Sequence, residues 1–491
     1  MVDNLARKLD NAPKAEIEIS EAPVKWCSVS LAEMVERGKR LEASSYDINN
    51  KKSINTILNC KYGYFELVGE NSLVKRAYHA PRFKRNYVTK DHERAVGFLG
   101  SSDMLDIKPQ NYKYITTDLA NRLNLFCPKN TVLVSCSGTI GNVSYVTKTL
   151  LPFAFSQHII RLECKEYSGY IYCCMKNQNI QTQLQSLIYG AVIQEIEPEH
   201  LSRVYIPNAP DSIKAKINDL IMLSYDLRDE SNALIDQAQA LLVKELNLPP
   251  ISEIKVDTLD KSKSVQTFNV KLSEMAGRAD ASYHMPIVDA IVDILKKNAA
   301  EVTTVGDERI SKSVVLAGVF KRTYVEEEYG YPFLGGKEIT QLNPKTEKFL
   351  SKAIHKSRYE KELKVTENTV LVTDRGTIGT VALVPKHWNN YAVSQNVLKL
   401  IPANNDISGY IYVFLSSECG GILLRRQTYG SVVDMIDNHS LEMVEFPILK
   451  NQDIQKQIND LALQANEKRY QAYLLEQEAL KVLDEEVIYA E

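Results

Sequence analysis

The sequence predicts an α+β protein built from two copies of one unit, each a globular domain of mixed helices and strands followed by a long helix. Three observations predict this class. Blocks of sequence recur in the same order at an offset of about 240 residues. Short β-rich runs separated by turn residues fill the globular part of each copy. Each copy ends in a stretch whose apolar residues keep a seven-residue spacing.

The composition is that of a folded protein without a membrane span. Of the 491 residues, 44% are hydrophobic and 25% are charged, which is ordinary for globular chains. No run approaches the roughly 18 apolar residues that a membrane helix needs, and residues 1–20 are too polar for an export signal. The eight cysteines lack zinc or disulfide spacing, so we expect reduced thiols in a cytoplasmic protein. The net charge of −3 does not by itself indicate a nucleic-acid partner.

The internal repeat is carried by short blocks, and the sequence between them diverges almost completely. The matching blocks, first copy then second, are 29–34 and 270–275, 40–46 and 278–283, 74–78 and 320–324, 98–100 and 333–335, 138–141 and 376–379, 156–157 and 394–395, 168–172 and 408–412, 189–190 and 429–430, and 217–220 and 458–461. A shared scaffold with different loops is what we expect of two domains that recognise different targets. Surface drift after an old duplication is the alternative interpretation.

These blocks divide the chain into six predicted segments. They are an N-terminal leader (1–26), a first globular domain (27–210), a first long helix (211–248), a linker (249–269), a second globular domain (270–450) and a second long helix (451–491). Pro249 and Pro250 end the first helix because proline cannot continue it.

The spacing of apolar residues predicts that the two long helices form an antiparallel coiled coil. Leucines recur every seven residues in the first helix beside a second seam of small residues, as in close-packed helix pairs. The predicted pairing residues are Ile213, Ile217, Leu220, Leu227, Leu234, Leu241, Ile454, Ile458, Leu461, Leu475 and Val482. At ~1.5 Å per residue each helix reaches about 50 Å, so the pair would act as a ruler. In the alternative interpretation, each helix caps the core of its own domain.

Two features of the globular domains predict a ligand surface. Each Gly-Thr-Ile-Gly segment follows a β-rich run, and glycines at that spacing suit a tight loop that approaches a ligand. Residues 73–90 carry six basic residues, no acid and interleaved aromatics, a composition typical of a phosphate-facing surface. The candidate DNA-binding residues are Lys75, Arg76, Tyr78, Arg82, Lys84, Arg85, Ser137, Thr139, Lys321, Arg322, Tyr324, Arg375 and Thr377.

Arg375 is the candidate for a two-pronged pair with guanine. Gln157 and Gln395 are interpreted as fold residues because both copies keep them. A basic run is also compatible with an ordinary solvated face.

Catalytic motifs are missing from the sequence. Gly336-Lys337 lacks the flanking residues of a phosphate-binding loop, and no His-Glu-x-x-His, nucleophile elbow or dinucleotide-binding glycine motif occurs. We therefore expect a non-catalytic chain without a metal or cofactor of its own.

The repeat, the leucine-seamed helices and the run Ser-Gly-Thr-Ile-Gly-Asn at residues 137–142 together resemble the specificity subunit of type I restriction-modification systems, over about residues 27–489. The resemblance implies that each globular domain is a target-recognition domain reading half of a bipartite double-stranded DNA site, with the helix pair fixing the gap. It further implies a non-catalytic subunit that holds adenine-N6 methyltransferase subunits, commonly two, and a motor-nuclease subunit. S-adenosylmethionine, Mg²⁺ and ATP would then belong to those partners.

Residues 40–46 and 278–283 are similar to the entry segments of a subset of these subunits, some of which serve other methylation-dependent defence systems. The alternative function is a duplicated protein-binding scaffold that binds no nucleic acid.

Overall fold

The computed structural model describes residues 28–36, 46–110, 112–190, 194–254, 256, 267–275, 277–344, 348–430 and 433–490. The predicted leader, most of the predicted linker and residues 40–45 of the repeated entry segment lie outside the described residues. The chain divides into two compact units. Unit 1 comprises Met1–Leu105, Tyr112–Tyr225 and Leu474–Glu491, and unit 2 comprises Asp106–Asn111 and Asp226–Tyr473.

Unit 1 contains three antiparallel or mixed sheets. Its strands are β1 (Tyr64–Glu66), β2 (Val74–Tyr78), β3 (Ala95–Leu99), β4 (Lys113–Thr116), β5 (Val132–Ser135), β6 (Val143–Tyr145), β7 (Ala154–Phe155), β8 (Ile159–Cys164) and β9 (Tyr205–Pro207). The sheet orders are β2-β8-β5-β6, β4-β3-β7 and β1-β9. Its helices are α1 (Leu31–Glu36), α2 (Ile48–Leu58), α3 (Thr117–Arg122), α4 (Ser168–Lys176), α5 (Gln178–Ser186) and the beginning of α6 (Asp211–Glu245).

Unit 2 repeats this arrangement with one added strand. Its strands are β10 (Glu301–Thr304), β11 (Ser311–Val315), β12 (Tyr324–Val325), β13 (Gly330–Leu334), β14 (Phe349–Ser351), β15 (Val370–Thr373), β16 (Val381–Leu383), β17 (Ala392–Val393), β18 (Val397–Pro402) and β19 (Glu445–Ile448). The sheet orders are β11-β18-β15-β16, β12-β14-β13-β17 and β10-β19. Its helices are α7 (Pro286–Asn298), α8 (Lys352–Arg358), α9 (Asn405–Ser416), α10 (Glu418–Arg426), α11 (Asn438–Glu442) and most of α12 (Gln452–Leu483).

The central strands β5 and β15 show why the sequence forms these sheets. In β5, Val132 and Val134 face one apolar core while Leu133 faces another, and Leu371 in β15 likewise faces away from the core that its neighbours fill. A strand buried on both faces reads as a continuous apolar run, and β-branched residues suit it. The predicted α+β class with an internal repeat is confirmed.

The Lys-Arg-x-Tyr segments at 75–78 and 321–324 occupy different places in the two units, so their predicted equivalence is wrong. Residues 75–78 lie in β2, which pairs with β8 at a sheet edge. The strand at that edge in unit 2 is β11, which pairs with β18 and has a register shift at the matching place. Tyr324 instead begins β12 in the other large sheet. The similarity is therefore a short match of residue types rather than a structural repeat.

Two of the repeated blocks contact each other in both units. The side-chain oxygen of Asn218 in α6 accepts a hydrogen bond from the backbone N–H of Gly169 in α4 at 3.0 Å. Asn459 in α12 accepts the same bond from Gly409 in α9 at 2.8 Å. A Cβ at Gly169 or Gly409 would lie 2.8 or 2.4 Å from the backbone oxygen of the asparagine opposite. Glycine is therefore required where the beginning of each long helix docks on its own domain.

A buried tyrosine reinforces each docking contact. Tyr170 and Tyr410 directly follow the two glycines, and each donates its hydroxyl hydrogen to a proline carbonyl, Pro207 at 2.7 Å and Pro447 at 2.9 Å. These prolines lie in β9 and β19, so the tyrosines tie the α4 and α9 helices to the strands that precede the long helices. These contacts explain why the Gly-Tyr pair within the Ser-Gly-Tyr-Ile-Tyr block is the same in both copies.

The long helices contact each other within each unit. In unit 1, Lys216 in α6 pairs with Glu486, which lies in a π-helical turn after α12, at 2.6 Å. In unit 2, Lys468 in α12 pairs with Glu230 in α6 at 2.7 Å. Each unit therefore contains a contact between the two long helices, and their antiparallel pairing as a coiled coil stays a prediction.

The predicted pairing residues differ in burial along this contact. Ile217, Ile458, Leu461 and Val482 are buried, whereas the heptad leucines are only half-buried. The most buried seam of α6 is the companion one, formed by Ile217, Ser224, Ser231 and Ala238. The remaining predicted residues, all half-buried, are Ile213, Leu220, Leu227, Leu234, Leu241, Ile454 and Leu475.

We predict that Gly409→Ala destabilises the protein by about 1–3 kcal/mol, because the added Cβ would overlap the Asn459 carbonyl in a packed contact. Gly421→Ala is the matched control, since Gly421 also lies in a helix and its Cβ would come no closer than 3.5 Å to another atom. That variant should be neutral or slightly stabilising, because alanine favours the helix. Thermal and urea unfolding measure both, and equal effects of the two substitutions would contradict the docking role of Gly409.

Candidate nucleic-acid interface

The two Gly-Thr-Ile-Gly turns have the same backbone conformation. Gly138 and Gly141 have φ of 77° and 87°, and Gly376 and Gly379 have φ of 76° and 79°. These left-handed values are favourable for glycine and strained for other residues. The four positions therefore explain why this block is unchanged between the copies.

A hydroxyl group closes each turn from inside. Ser135 Oγ donates to the carbonyl of Thr139 and accepts from the backbone N–H of Asn142. In unit 2, Thr373 makes the corresponding bonds to Thr377 and Thr380. The turn is therefore held by its own strand, and the outward side chains are not needed to form it.

A second repeated segment lies beside each turn. Ser137 forms a backbone bridge with Glu195, and Glu195 pairs in turn with Tyr189. In unit 2, Met435 bridges both Arg375 and Tyr429 in the same way. Thr139 and Thr377 are exposed, and Ser137 and Arg375 are half-buried. In each unit, one residue thus bridges both the turn and the tyrosine of the Tyr-Gly block.

The turns differ in what supports them from behind. In unit 1, Gln181 in α5 donates to the carbonyls of Gly141 at 2.7 Å and Met175 at 2.5 Å, and Gln185 donates to Ile140 at 3.1 Å. In unit 2, a cavity of about 690 Å³ lies beside the turn, lined in part by Gly376, Thr377, Ile378, Ile422 and Arg425. Amide side chains therefore hydrogen-bond to the first turn, whereas the second turn adjoins a cavity.

Two cations of the basic segment are already neutralised by carboxylates. Arg76 donates from Nε and Nη2 to the two carboxylate oxygens of Glu163 at 3.0 and 2.7 Å, and this pairing lowers the pKa of Glu163. Tyr78 also donates to Glu163, at 3.0 Å. Arg82 pairs with Glu195 at 3.0 Å. Sequence reasoning missed both glutamates, which come from strands and loops far along the chain.

Three of the other four basic residues of the segment are placed differently. Lys75 and Lys84 are exposed, and the guanidinium of Arg85 lies 5.8 Å from the ring centre of Phe98. Within the described part of the chain, none of these three cations forms an ion pair. These three side chains therefore retain their charge for a phosphate.

Histidines extend this surface beside the first turn. His79 Nε2 lies 2.7 Å from Glu197, and Tyr189 donates to the same carboxylate at 2.6 Å, which raises the pKa of Tyr189 to about 12. Burial lowers the pKa of His158, and the positive charge of Arg85 lowers it further. Both effects favour the neutral form of His158, in which the ring can donate one hydrogen bond and accept another.

In unit 2, the predicted basic residues lie in a different setting. Arg322 donates to the side-chain oxygen of Gln395 and lies over the ring of Phe333 at 5.3 Å. Lys321 and Tyr324 are exposed. Gln395 thus contacts one of the candidate cations.

Arg375 is paired with its own neighbour. It donates from Nε and Nη2 to one carboxylate oxygen of Asp374, at 2.9 and 2.7 Å. The Asp374 side chain is 1% exposed and that of Arg375 is 38% exposed. Burial raises the pKa of Asp374, while the hydrogen bonds from Arg375 oppose the rise.

Metal-ligand clusters and single membrane-spanning helices are both absent from the described residues. No group of three or more His, Cys, Asp or Glu side chains there is placed to hold a metal ion. No single helix of that part is long and apolar enough to cross a membrane, and α9 with α10 pass this test only together, bent by 80°.

The chain matches one family model, described as the type I restriction modification DNA specificity domain, at residues 23–226 and 318–462. It is also similar to the solved S subunit of a type I restriction-modification system from M. genitalium (14% identity, TM-score 0.32) and to the HsdS subunit from Thermoanaerobacter tengcongensis (13% identity, TM-score 0.26). Each comparison covers 85% of this chain and 98% of the solved one. No curated protein matches.

We predict that Gln181→Ala loosens the first turn, because the buried carbonyls of Gly141 and Met175 lose a hydrogen-bond donor. The expected cost is about 1–3 kcal/mol, with faster amide hydrogen exchange at residues 138–142 measured by mass spectrometry. Gln178→Ala, an exposed glutamine in the same helix, is the matched control. Unchanged exchange in the Gln181 variant would show that the hydrogen bonds donated by this side chain do not support the turn.

Proposed function

The chain belongs to the family of type I restriction-modification DNA specificity domains, and from this premise we propose that it reads a bipartite, asymmetric DNA site for a restriction-modification or related defence complex. Recognition of DNA sequence is the role that family membership gives the chain. The finer proposal is that unit 1 and unit 2 each read one half of the site. The alternative of a protein-binding scaffold without nucleic acid is not favoured by this membership.

One observation carries the bipartite proposal: the two units share a scaffold but present different side chains at the same turn. The hydroxyl-closed turn and the neighbouring backbone bridge are common to both. Ser137 and Glu195 in unit 1 are replaced by Arg375 and Met435 in unit 2. Because base edges are read by the donors and acceptors of side chains, the same frame with different groups suits two different half-sites.

We assign affinity and register to phosphate contacts. In unit 1, Lys75, Lys84 and Arg85 keep unneutralised charge, and Arg76, Tyr78 and Arg82 lie among them. In unit 2, Lys321 and Arg322 with Tyr324 take this role on a different sheet, beside Gln395. Phosphate contacts position a protein on DNA, whereas the residues of the turns, including Thr139 and Thr377, specify bases.

The long helices are proposed to set the gap between the half-sites. Each contributes its beginning to one unit and later turns to the other. Helix α6 has 35 residues, so it is about 50 Å long, compared with about 34 Å for one turn of B-DNA.

The complex is proposed to supply the chemistry that this chain does not. Adenine-N6 methyltransferase subunits, two in number, and a motor-nuclease subunit would assemble with the chain in the cytoplasm. S-adenosylmethionine, Mg²⁺ and ATP would bind to those partners, and the chain itself would remain non-catalytic.

Replacing Lys75, Lys84 and Arg85 by alanine is predicted to weaken binding of the full-length chain to duplex DNA and to flatten its salt dependence. Each lost phosphate contact should reduce the slope of log affinity against log salt by about 0.9. Arg76→Ala should change the slope less, because Glu163 already neutralises Arg76.

Lys52→Ala, an exposed lysine of α2 outside the basic segment, is the control for these measurements. Fluorescence anisotropy at several salt concentrations gives the slopes. A slope that stays at the wild-type value in the triple variant would remove the phosphate assignment.

Inserting one heptad into both α6 and α12, at the level of the Glu230–Lys468 ion pair, is predicted to widen the gap between half-sites. Seven residues add about 10.5 Å, or roughly three base pairs, and keep the seam in register. Selection of bound duplexes from a randomised library, followed by sequencing, measures the gap.

An insertion into α6 alone is the control, because it breaks the pairing and should give no defined gap. If the doubly lengthened protein selects the original spacing, the proposal that the long helices set the gap is refuted.

A further inference from the structure

The position of Asp374 in unit 2 is fixed by the backbone on both sides. Its N–H donates to the carbonyl of Asn396 at 3.2 Å, and its carbonyl accepts from the N–H of Ile436 at 2.9 Å. The side chain enters a buried setting, and its Oδ1 has no hydrogen-bond partner among the described residues. The carboxylate is thus buried next to a fixed stretch of backbone, and its Oδ2 receives both hydrogen bonds from Arg375.

The same place in unit 1 carries no charge. Cys136 donates its backbone N–H to the carbonyl of His158 at 3.0 Å, and its carbonyl accepts from Ile196 at 3.0 Å. Cys136 is buried, and Ser137 follows it where unit 2 has Arg375. The uncharged pair Cys136-Ser137 thus forms the same backbone hydrogen bonds as Asp374-Arg375. A buried carboxylate, by contrast, destabilises the fold unless it is paired. The Asp-Arg pair has to be explained by something other than folding.

The pairing leaves one edge of the guanidinium free. Arginine has five N–H donors in a fixed planar fork. Asp374 takes the Nε hydrogen and one Nη2 hydrogen, so the second Nη2 hydrogen and both Nη1 hydrogens remain. The Nη1–Nη2 edge presents two parallel N–H groups, which match the O6 and N7 acceptors of guanine in the major groove.

The surroundings of Arg375 leave room for such a partner. Its side chain is 38% exposed, and a Cβ built on the following Gly376 would meet no atom within 4 Å. The turn itself is closed by Thr373 and needs no contact from Arg375. The guanidinium is therefore held at its inner edge and open at its outer edge.

We infer that Arg375 recognises a guanine in the half-site read by unit 2, and that Asp374 is the positioning residue that fixes its guanidinium for this contact. The inference rests on the proposed DNA recognition and deepens it, since it names the base and the residue pair. Asp374 does not touch the DNA. It acts by restricting Arg375 to one orientation, so that the wrong bases lose both hydrogen bonds at once.

The test compares the full-length wild type, Arg375→Gln, Asp374→Asn and the double variant Asp374→Cys with Arg375→Ser, which copies the pair in unit 1. Each protein selects duplexes from a randomised library, and affinities are then measured on the wild-type site. In further duplexes, 7-deazaguanine, which lacks the N7 acceptor, replaces each guanine of one half-site in turn. Thermal unfolding checks that the variants fold, and the double variant should melt like the wild type.

The wild type should select a constant guanine at one position, and 7-deazaguanine there should weaken its binding about 5- to 150-fold. Arg375→Gln and the double variant should lose the preference at that position alone and be insensitive to 7-deazaguanine. Asp374→Asn should keep non-specific affinity but discriminate less between guanine and other bases. The other half-site should be unchanged in all variants.

The outcomes separate the two proposals. If the wild type selects no sequence blocks, the proposed function fails. If it selects two blocks and Arg375→Gln selects the same bases at every position, DNA recognition stands and the guanine assignment is overturned. If only Arg375→Gln alters the preference while Asp374→Asn discriminates as the wild type does, the positioning role of Asp374 is overturned.

Discussion

The contact between an asparagine of each long helix and a glycine N–H of its own domain is the constraint on which the rest of the structure depends. Asn218 and Asn459 accept a hydrogen bond from a glycine N–H of a buried helix, and the missing side chain of the glycine lets the two backbones touch. This contact fixes the first turns of the long helix against both translation along the helix axis and rotation about it. Each long helix begins in one unit and contributes its later turns to the other. Because the asparagine contact fixes the beginning of the helix, it also determines which residues of the later turns can pack in the other unit.

The charges of the candidate surface are balanced rather than simply basic. Glu163 and Glu195 neutralise two of the arginines that make the segment look strongly basic in the sequence. Fewer free cations reduce the salt-sensitive, sequence-independent part of DNA affinity. A larger share of the binding energy then has to come from base contacts, as a protein that discriminates between sequences requires. The low net charge of the chain agrees with this balance.

The sequence predicted the repeat, the long helices and the glycine turns because each of these leaves a local pattern. It did not predict which blocks touch: Asn218 and Gly169 are 49 residues apart, and Glu163 is 87 residues from Arg76. Contacts at such separations depend on the complete topology. The error at 321–324 has the same origin, since a four-residue resemblance carries no information about the sheet in which a strand lies. Asp374 and Arg375 are adjacent in the sequence, but only the burial of Asp374 indicates that this residue positions Arg375.

The turns show how one fold can read different targets. Each is closed from within by Ser135 or Thr373 and by two glycines with positive φ, so none of its stability depends on the outward side chains. The position before the first glycine is therefore free to change, and it carries serine in one unit and arginine in the other. A charged residue at this position introduces a cost that serine does not, because its carboxylate partner has to be buried. The fold accommodates that carboxylate beside a strand whose two faces are otherwise apolar. The change from serine to arginine therefore alters the groups offered to a ligand, while the frame of the turn stays the same in both units.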